Sequence, residues 1–276
     1  PGALLFHTLN DLGDEAGRKK AKTGRIWTYV RDDRNAGSPE PPAVWFAYSP
    51  DRQGKHPVQH LRPFRGILQA DAFSGYDRLF SAKREGGAQT EVACWVHARR
   101  KIHDVYISSK STTAEEALKR ISELYAIEDE IRGLPESERL AARQQRSKAL
   151  LTSLHEWMVE KNGTLSKKSR LGEAFSYVLN QWDGLCYYSD DGLAEADNNT
   201  AERALRAVCL GKKNYMFFGN DHGGERGALL YGLIGSCRLN GIDPEAYLRH
   251  ILSVLPEWPS NRVDELLPWN VVFTDK

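Results

Sequence analysis

The chain has 276 residues, 41% hydrophobic and 27% charged, with a formal net charge of +1. That apolar content excludes a disordered chain. Its 38 basic and 37 acidic residues exclude a uniformly cationic coat for nucleic acid, so any contact with a polyanion must rest on local patches. The length suits one large domain with an insertion, or two small domains. Four cysteines (Cys94, Cys186, Cys209 and Cys237) form no Cys-x-x-Cys pair, which argues against a zinc ribbon or disulfide framework and fits a reducing compartment. No signal peptide is visible, and no apolar run approaches the ~18 residues that span a membrane. The chain begins at Pro1 and its first methionine is Met158, so a fragment or an interrupted reading frame is expected.

Residues 3–9 carry a weak strand pattern, and residues 18–25 form a basic turn. Ile26-Trp-Thr-Tyr-Val30 and Ala43-Val-Trp-Phe-Ala-Tyr48 are β-branched and aromatic and predict strands, with a Gly/Pro loop at 37–42 between them. Gly66-Ile-Leu-Gln-Ala-Asp71 predicts another strand, followed by a short helix around Tyr76–Phe80. Val92-Ala-Cys-Trp95 predicts a short strand leading into a helix with His97, Arg99, Arg100 and Lys101.

From about 112 to 184 the pattern is helical. Leu118, Ile121, Leu124, Tyr125 and Ile131 recur at helical spacing. A second helix starts near Pro135, carries Leu150, Leu151, Leu154, Trp157 and Met158, and is stopped by Asn162-Gly163. Leu171, Ala174, Phe175, Val178, Leu179 and Trp182 make a third apolar face, stopped by Gly184. Next come a helix from Asn198 or Asn199, a turn at Gly211, and a strand-like Tyr215-Met-Phe-Phe218. A helix over 224–239 is apolar nearly all round. It is expected to be buried, with Gly227, Gly232 and Gly235 allowing close packing. Asp243-Pro244 opens the last helix, and Glu265–Asn270 is expected to be an extended closing segment.

Asp71 ends an apolar strand, and buried carboxylates need a partner or a metal. The competing reading is a cap for the next helix. Glu202 falls in a helical first turn, where an acid suits the helix dipole and an i,i+4 pair with Arg206 is the ordinary alternative. Two carboxylates from different elements can share divalent cations, which is how proteins cut phosphodiesters. Arg203, Arg206, Lys212 and Lys213 follow Glu202 and could meet backbone phosphates, or make a solvated basic face. Residues 18–25 carry five basic side chains and no acid, including Lys19, Lys20, Lys22 and Arg25, and are the better single patch. Cys94 and His97 offer only two of the four ligands a structural zinc needs, so a packed cysteine is favoured. His222-Gly-Gly-Glu-Arg226 reads equally as an anion-binding helix start or a plain glycine loop. No phosphate-binding glycine motif of the nucleotide-binding folds is present.

Eight strings, taken in order, resemble transposases of the insertion sequence 66 family. They are Lys22–Arg34, Tyr48–Arg52, Leu68–Asp77, Cys94–Lys101, Asp197–Arg203, Gly211–Asn214, Gly223–Arg226 and Asn261–Asn270. The resemblance implies an α/β fold: a ribonuclease H-like core, a mixed sheet flanked by helices, with an α-helical insertion. On that pattern 1–110 is the first part of the core, 111–190 the insertion, 191–255 the second part carrying Glu202, and 256–276 a tail. It implies an Asp-Asp-Glu triad holding two Mg²⁺ (or Mn²⁺) ions, with Asp71 as second Asp and Glu202 as Glu. It implies DNA cleavage and strand transfer on transposon ends and target DNA by a homo-oligomer working with accessory proteins of the element, in the cytoplasm on the nucleoid. It also implies an insertion that helps hold DNA. His97, Arg99, Arg100 and Arg226 lie in matched strings and join the basic residues above as DNA-binding candidates.

The chain departs from this pattern at the first Asp. Counting back from Lys22 lands near His7 and Thr8, where there is no acid, and Asp11 and Asp14 are the nearest carboxylates. The family's N-terminal DNA-binding region is not matched either. A transposase core lacking one metal ligand, and a non-catalytic remnant that binds DNA or full-length transposase, are both consistent with the sequence.

Overall fold

The computed structural model describes the backbone of residues 4–10 and the whole of residues 23–273. The strands are β1 (Leu4–Asn10), β2 (Arg25–Arg31), β3 (Ala43–Ser49), β4 (Ile67–Gln69) and β5 (Thr90–Val92). The helices of the first half are α1 (Lys55–His60), α2 (Asp77–Phe80), α3 (Trp95–Ser109), α4 (Thr112–Glu130) and α5 (Glu136–Ala142). Those of the second half are α6 (Lys148–Thr164), α7 (Arg170–Asn180), α8 (Trp182–Cys186), α9 (Asn199–Tyr215), α10 (Asp221–Leu239) and α11 (Pro244–Val254). The fold is mixed α/β and mostly helical. It divides into two compact units: residues 1–5, 33–39 and 57–199, and residues 6–32, 40–56 and 200–276.

The first unit holds a parallel ladder and a helical block. Leu4 and Leu5 of β1 pair with Leu68 and Gln69 of β4, and β4 pairs with β5 from Ile67↔Thr90 to Gln69↔Val92. Ser111 caps α4 by accepting from the Ala114 N–H, and Ala114, Ala117, Ile121 and Leu124 then line one buried stripe. That stripe packs with Trp95, Ala98 and Ile102 of α3, Leu154 and Met158 of α6, and Phe175 and Val178 of α7 in one core. Burying such side chains stabilises by about 1.5–3 kcal/mol each, which is what fixes so helical a block.

The block departs from the sequence expectation in two places. The helix opened by Pro135 continues through a π-helical stretch, Arg143–Ser147, into α6 and ends at Thr164 rather than at Asn162-Gly163. Gly184 does not stop a helix but lies inside α8, where its missing side chain admits Ala93: the Ala93 N–H donates to the Gly184 carbonyl at 3.0 Å.

The second unit is built on an antiparallel hairpin, with β2 and β3 in register from Arg25↔Ser49 to Arg31↔Ala43. Helix α10 lies on β3 through small residues every fourth position: Gly224, Ala228, Gly232 and Ser236, all buried. A β-carbon at Gly224 would stand 2.4 Å from the Tyr48 ring, and one at Gly235 would stand 2.6 Å from Val44 Cγ1. The Ser236 hydroxyl lies 3.1 Å from both the N–H and the carbonyl of Val44, donating to the carbonyl and accepting from the N–H. Helix α10 is not buried all round, however. Leu229 and Leu230, outside the small-residue stripe, are exposed.

The string Tyr48–Arg52 acts here as scaffolding. The Tyr48 hydroxyl donates to Asp221 Oδ1 at 2.6 Å, and Trp27 Nε1 donates to Ser49 Oγ at 2.6 Å. Asp51 Oδ1 accepts from the Gln53 N–H and meets His56 Nε2 at 2.7 Å; the Gln53 bond, with His56 behind it, holds the carboxyl below its usual range.

Two segments of this unit differ from expectation. Tyr215–Phe218 is no strand: α9 runs through Gly211 to Tyr215, Met216 takes φ 59°, and the chain turns. The Phe218 ring fills the space left by Gly227, where a β-carbon would stand 2.1 Å from it. The tail forms a 3₁₀ stretch, Ser260–Leu266, rather than an extended segment.

Candidate functional site

Asp71 lies two residues beyond β4. The Ala70 N–H still donates to Val92 O at 3.1 Å, and the chain then turns sharply, with the Phe73 N–H on the Asp71 carbonyl at 2.8 Å. The capping role does not hold. Phe73 and Tyr76 occupy the cap positions of the helical turns that follow, and neither has a side-chain cap bond. Asp71 is half-buried, and its Oδ1 is buried with no hydrogen-bond partner. A buried carboxylate oxygen left without a donor is costly unless a cation or an ordered water meets it. It is the feature of this structure that best fits a hard divalent ion.

Asp71 has electrostatic company in the first unit. Burial first, and then the Asp71 carboxylate, raises the Tyr177 phenol of α7 above its usual range. Lys101 of α3 stands 4.6 Å from the Tyr177 ring centroid. Cys94 caps α3 at the end of the β5 connection and donates its thiol to Asn198 Oδ1 at 3.1 Å. Burial pushes that thiol up to about 12, which fits a packed S–H donating to Asn198.

The approach to Glu202 is tied down closely. Gln69 Nε2 donates to Glu195 O at 2.7 Å, and the Trp95 N–H donates to Ala196 O at 3.0 Å. Asp197 Oδ1 accepts from the Asn199 N–H at 3.0 Å, and its Oδ2 accepts from the Tyr125 hydroxyl at 3.1 Å. Helix α9 begins there and presents half-buried Glu202 in its first turn.

The residues that hold this approach escaped sequence reasoning. Glu128, 7% exposed, extends the apolar stripe of α4 at the i+4 position from Leu124. Arg143 grips both of its oxygens, at 2.9 and 2.5 Å, and turns its other terminal nitrogen to the carbonyls of Tyr188, Asp191 and Ala194. Arg139 donates to Glu195 at 2.8 Å and reaches Glu128 at 3.6 Å. A carboxylate at a core position of an amphipathic stripe, with two arginines spaced i,i+4 downstream, is the sequence signal that could have found this clamp.

The basic candidates divide between the units. On α3, Arg99 and Arg100 are exposed and His97 is half-buried. In the second unit Arg203, Arg206 and Lys213 of α9 and Arg226 of α10 are exposed, while Lys212 and Arg25 are half-buried. Arg203 donates to Thr200 Oγ1 at 2.9 Å, and Arg25 to its neighbour's carbonyl. Lys19, Lys20, Lys22, Asp11 and Asp14 lie outside the described residues. The glycines at 223–224 serve a cap, with the Gly223 N–H donating to Asn220 Oδ1 at 2.8 Å. Among the described residues no three or more His, Cys, Asp or Glu side chains are grouped to hold a metal, and no helix is long and apolar enough to cross a membrane.

A family model described as "Transposase IS66 family" matches residues 9–226, and one described as "IS66 C-terminal element" matches residues 232–269. Three similar proteins come from Sinorhizobium fredii. "Uncharacterized protein y4hP" is 42% identical over 264 residues, covering 91% of this chain and 48% of the relative. "Uncharacterized protein y4qI" is 35% identical (95% and 49% covered), and "Uncharacterized protein y4jD" is 37% identical (93% and 51%). The chain thus spans about half the length of these curated relatives. No solved structure matches it.

Proposed function

Because this chain belongs to the IS66 transposase family, we propose that it is the catalytic core of a DDE-type transposase with a ribonuclease H-like fold, cleaving and joining DNA at transposon ends with Asp71 and Glu202 as metal ligands. The observation that carries the site is the buried, unpartnered Oδ1 of Asp71 at the end of a parallel strand. The parallel order β1-β4-β5 and the antiparallel β2-β3 hairpin are strand types that such a core requires. Residues 111–190 serve as its helical insertion, between the two metal ligands in the chain.

The chemistry asks little of the protein beyond placement and charge. Asp71 and Glu202 supply hard oxygen donors. Divalent ions bound there would activate a water or a DNA 3′-hydroxyl and stabilise the leaving oxygen. Tyr177, held neutral, adds no negative charge next to Asp71. Arg99, Arg100, Arg203, Arg206, Lys213 and Arg226, with His97, Lys212, Arg25 and the lysines at 19, 20 and 22, neutralise backbone phosphates without reading sequence. The protein works as a homo-oligomer on DNA, in the bacterial cytoplasm at the nucleoid, with accessory proteins of the same element.

One observation favours a second reading, a non-catalytic remnant that binds DNA or full-length transposase. The described residues offer no group of three acids for a metal. Nicking of DNA carrying the element's ends, with and without Mg²⁺ or Mn²⁺, separates the two. The enzyme reading expects metal-dependent cuts that Asp71→Asn and Glu202→Gln each reduce at least about 100-fold. Absence of cutting by the unmodified chain, with DNA retained in a gel-shift assay, would leave the remnant reading in place.

A further inference from the structure

We propose that Tyr125 is a positioning residue for Glu202, acting through Asp197. The inference rests on the reading of Glu202 as a metal ligand and adds a residue from the helical block to that site.

The contacts form a short chain. Tyr125 lies on α4, whose neighbouring Ile121 and Leu124 are locked in the core. Its hydroxyl donates to Asp197 Oδ2 at 3.1 Å. The other oxygen of that carboxylate accepts the Asn199 N–H at 3.0 Å, at the first residue of α9. Asp197 therefore has one oxygen on the helical block and one on the start of the helix that carries Glu202. A carboxylate there also suits the positive end of α9.

Without the phenol, Asp197 Oδ2 loses that donor and the carboxylate's hold on the Asn199 N–H weakens. Glu202 sits three residues further on, so fraying of this turn displaces its carboxylate directly. Displacements of about 1 Å at a reacting centre cost roughly 100-fold in rate. Tyr125 is not itself a metal ligand in this scheme, and it can lose its hydroxyl without losing its ring. A second pin, the Cys94 thiol on Asn198, keeps the segment attached when the first is cut.

Tyr125→Phe removes only the hydroxyl. Hydrogen exchange across residues 197–205 and Mn²⁺ binding followed by electron paramagnetic resonance read the two ends of the chain of contacts, with Glu202→Gln as the reference. Tyr125→Phe is expected to speed exchange in the first turn of α9 roughly five- to tenfold and to weaken Mn²⁺ binding by a similar factor. Exchange elsewhere should not change. Unchanged exchange at 197–205 overturns the inference. So does faster exchange with unchanged Mn²⁺ affinity, where Glu202→Gln does weaken it: Tyr125 then holds a local cap and nothing more. If Glu202→Gln leaves Mn²⁺ binding untouched, the metal reading itself fails, and the positioning role falls with it.

Discussion

Arg143→Ala tests how the approach to α9 is held. The substitution leaves Glu128, only 7% exposed, without its bidentate partner, and deprives the carbonyls of Tyr188, Asp191 and Ala194 of a donor. Stripping one member from a buried ion pair costs about 3–5 kcal/mol, and each unmet carbonyl about 1 kcal/mol more. These costs overlap, so a total near 5 kcal/mol is expected, which for a unit of this size lowers Tm by about 15 °C.

Replacing both partners, Glu128→Met with Arg143→Met, removes the stranded charge but not the stranded carbonyls. Its cost should fall to about 2 kcal/mol. Urea unfolding followed by circular dichroism gives the totals. The two units need not unfold together, so hydrogen exchange must place the loss at residues 187–198. A loss below about 1 kcal/mol for Arg143→Ala, or a double variant as damaged as the single one, would refute the clamp.

Two further substitutions and a pH series probe other parts of the molecule. In α10, Gly232→Ala should be neutral or stabilising by up to about 1 kcal/mol, because its β-carbon would stand an ordinary 3.5 Å from Val44 O and alanine favours helix. Gly235→Ala, three residues on, should cost about 1–3 kcal/mol, because Val44 Cγ1 would stand at 2.6 Å; thermal melts that rank the two alike contradict the packing of α10 on β3. Alkaline pH should destabilise the fold. Burial raises the Cys94 thiol to about 12, so the folded chain keeps a proton that the unfolded chain gives up near 8.5, and stability falls as pH climbs between those values. The slope from Cys94 approaches about 1.4 kcal/mol per pH unit, and Cys94→Ala should lower the total by about that much, because burial also raises Cys186 to about 12 and Cys237 to about 11; an alkaline slope that Cys94→Ala leaves unchanged refutes the assignment.

The helical block was legible because its apolar residues recur at helical spacing over long stretches, and that signal is redundant. The hairpin was legible for the same reason, through β-branched and aromatic runs on both sides of a Gly/Pro loop. What failed was local and apolar. Tyr215–Phe218 has strand composition, yet it fills the glycine face of α10. No propensity records what a neighbouring helix lacks. The same omission explains α10, whose apolar girth suggested burial all round although the stripe of small residues alone selects its packed face. At the candidate site, Asp71 was legible as an acid out of place at a strand end. The clamp of Glu128, Arg139 and Arg143 was not, since each residue alone reads as an ordinary surface charge, and only pairing across a π-helical stretch turns it inward.

The hydroxyl of Ser236 stands where a neighbouring strand would otherwise bond. Strand β3 is last in the strand order, and a bare edge is an invitation for another chain to add itself. At Val44 the invitation is already answered, by one small side chain on a helix. An outer strand whose Val44 groups are already met recruits partners by backbone pairing less readily. Ser236→Ala would then matter less for folding than for whether concentrated protein stays in solution.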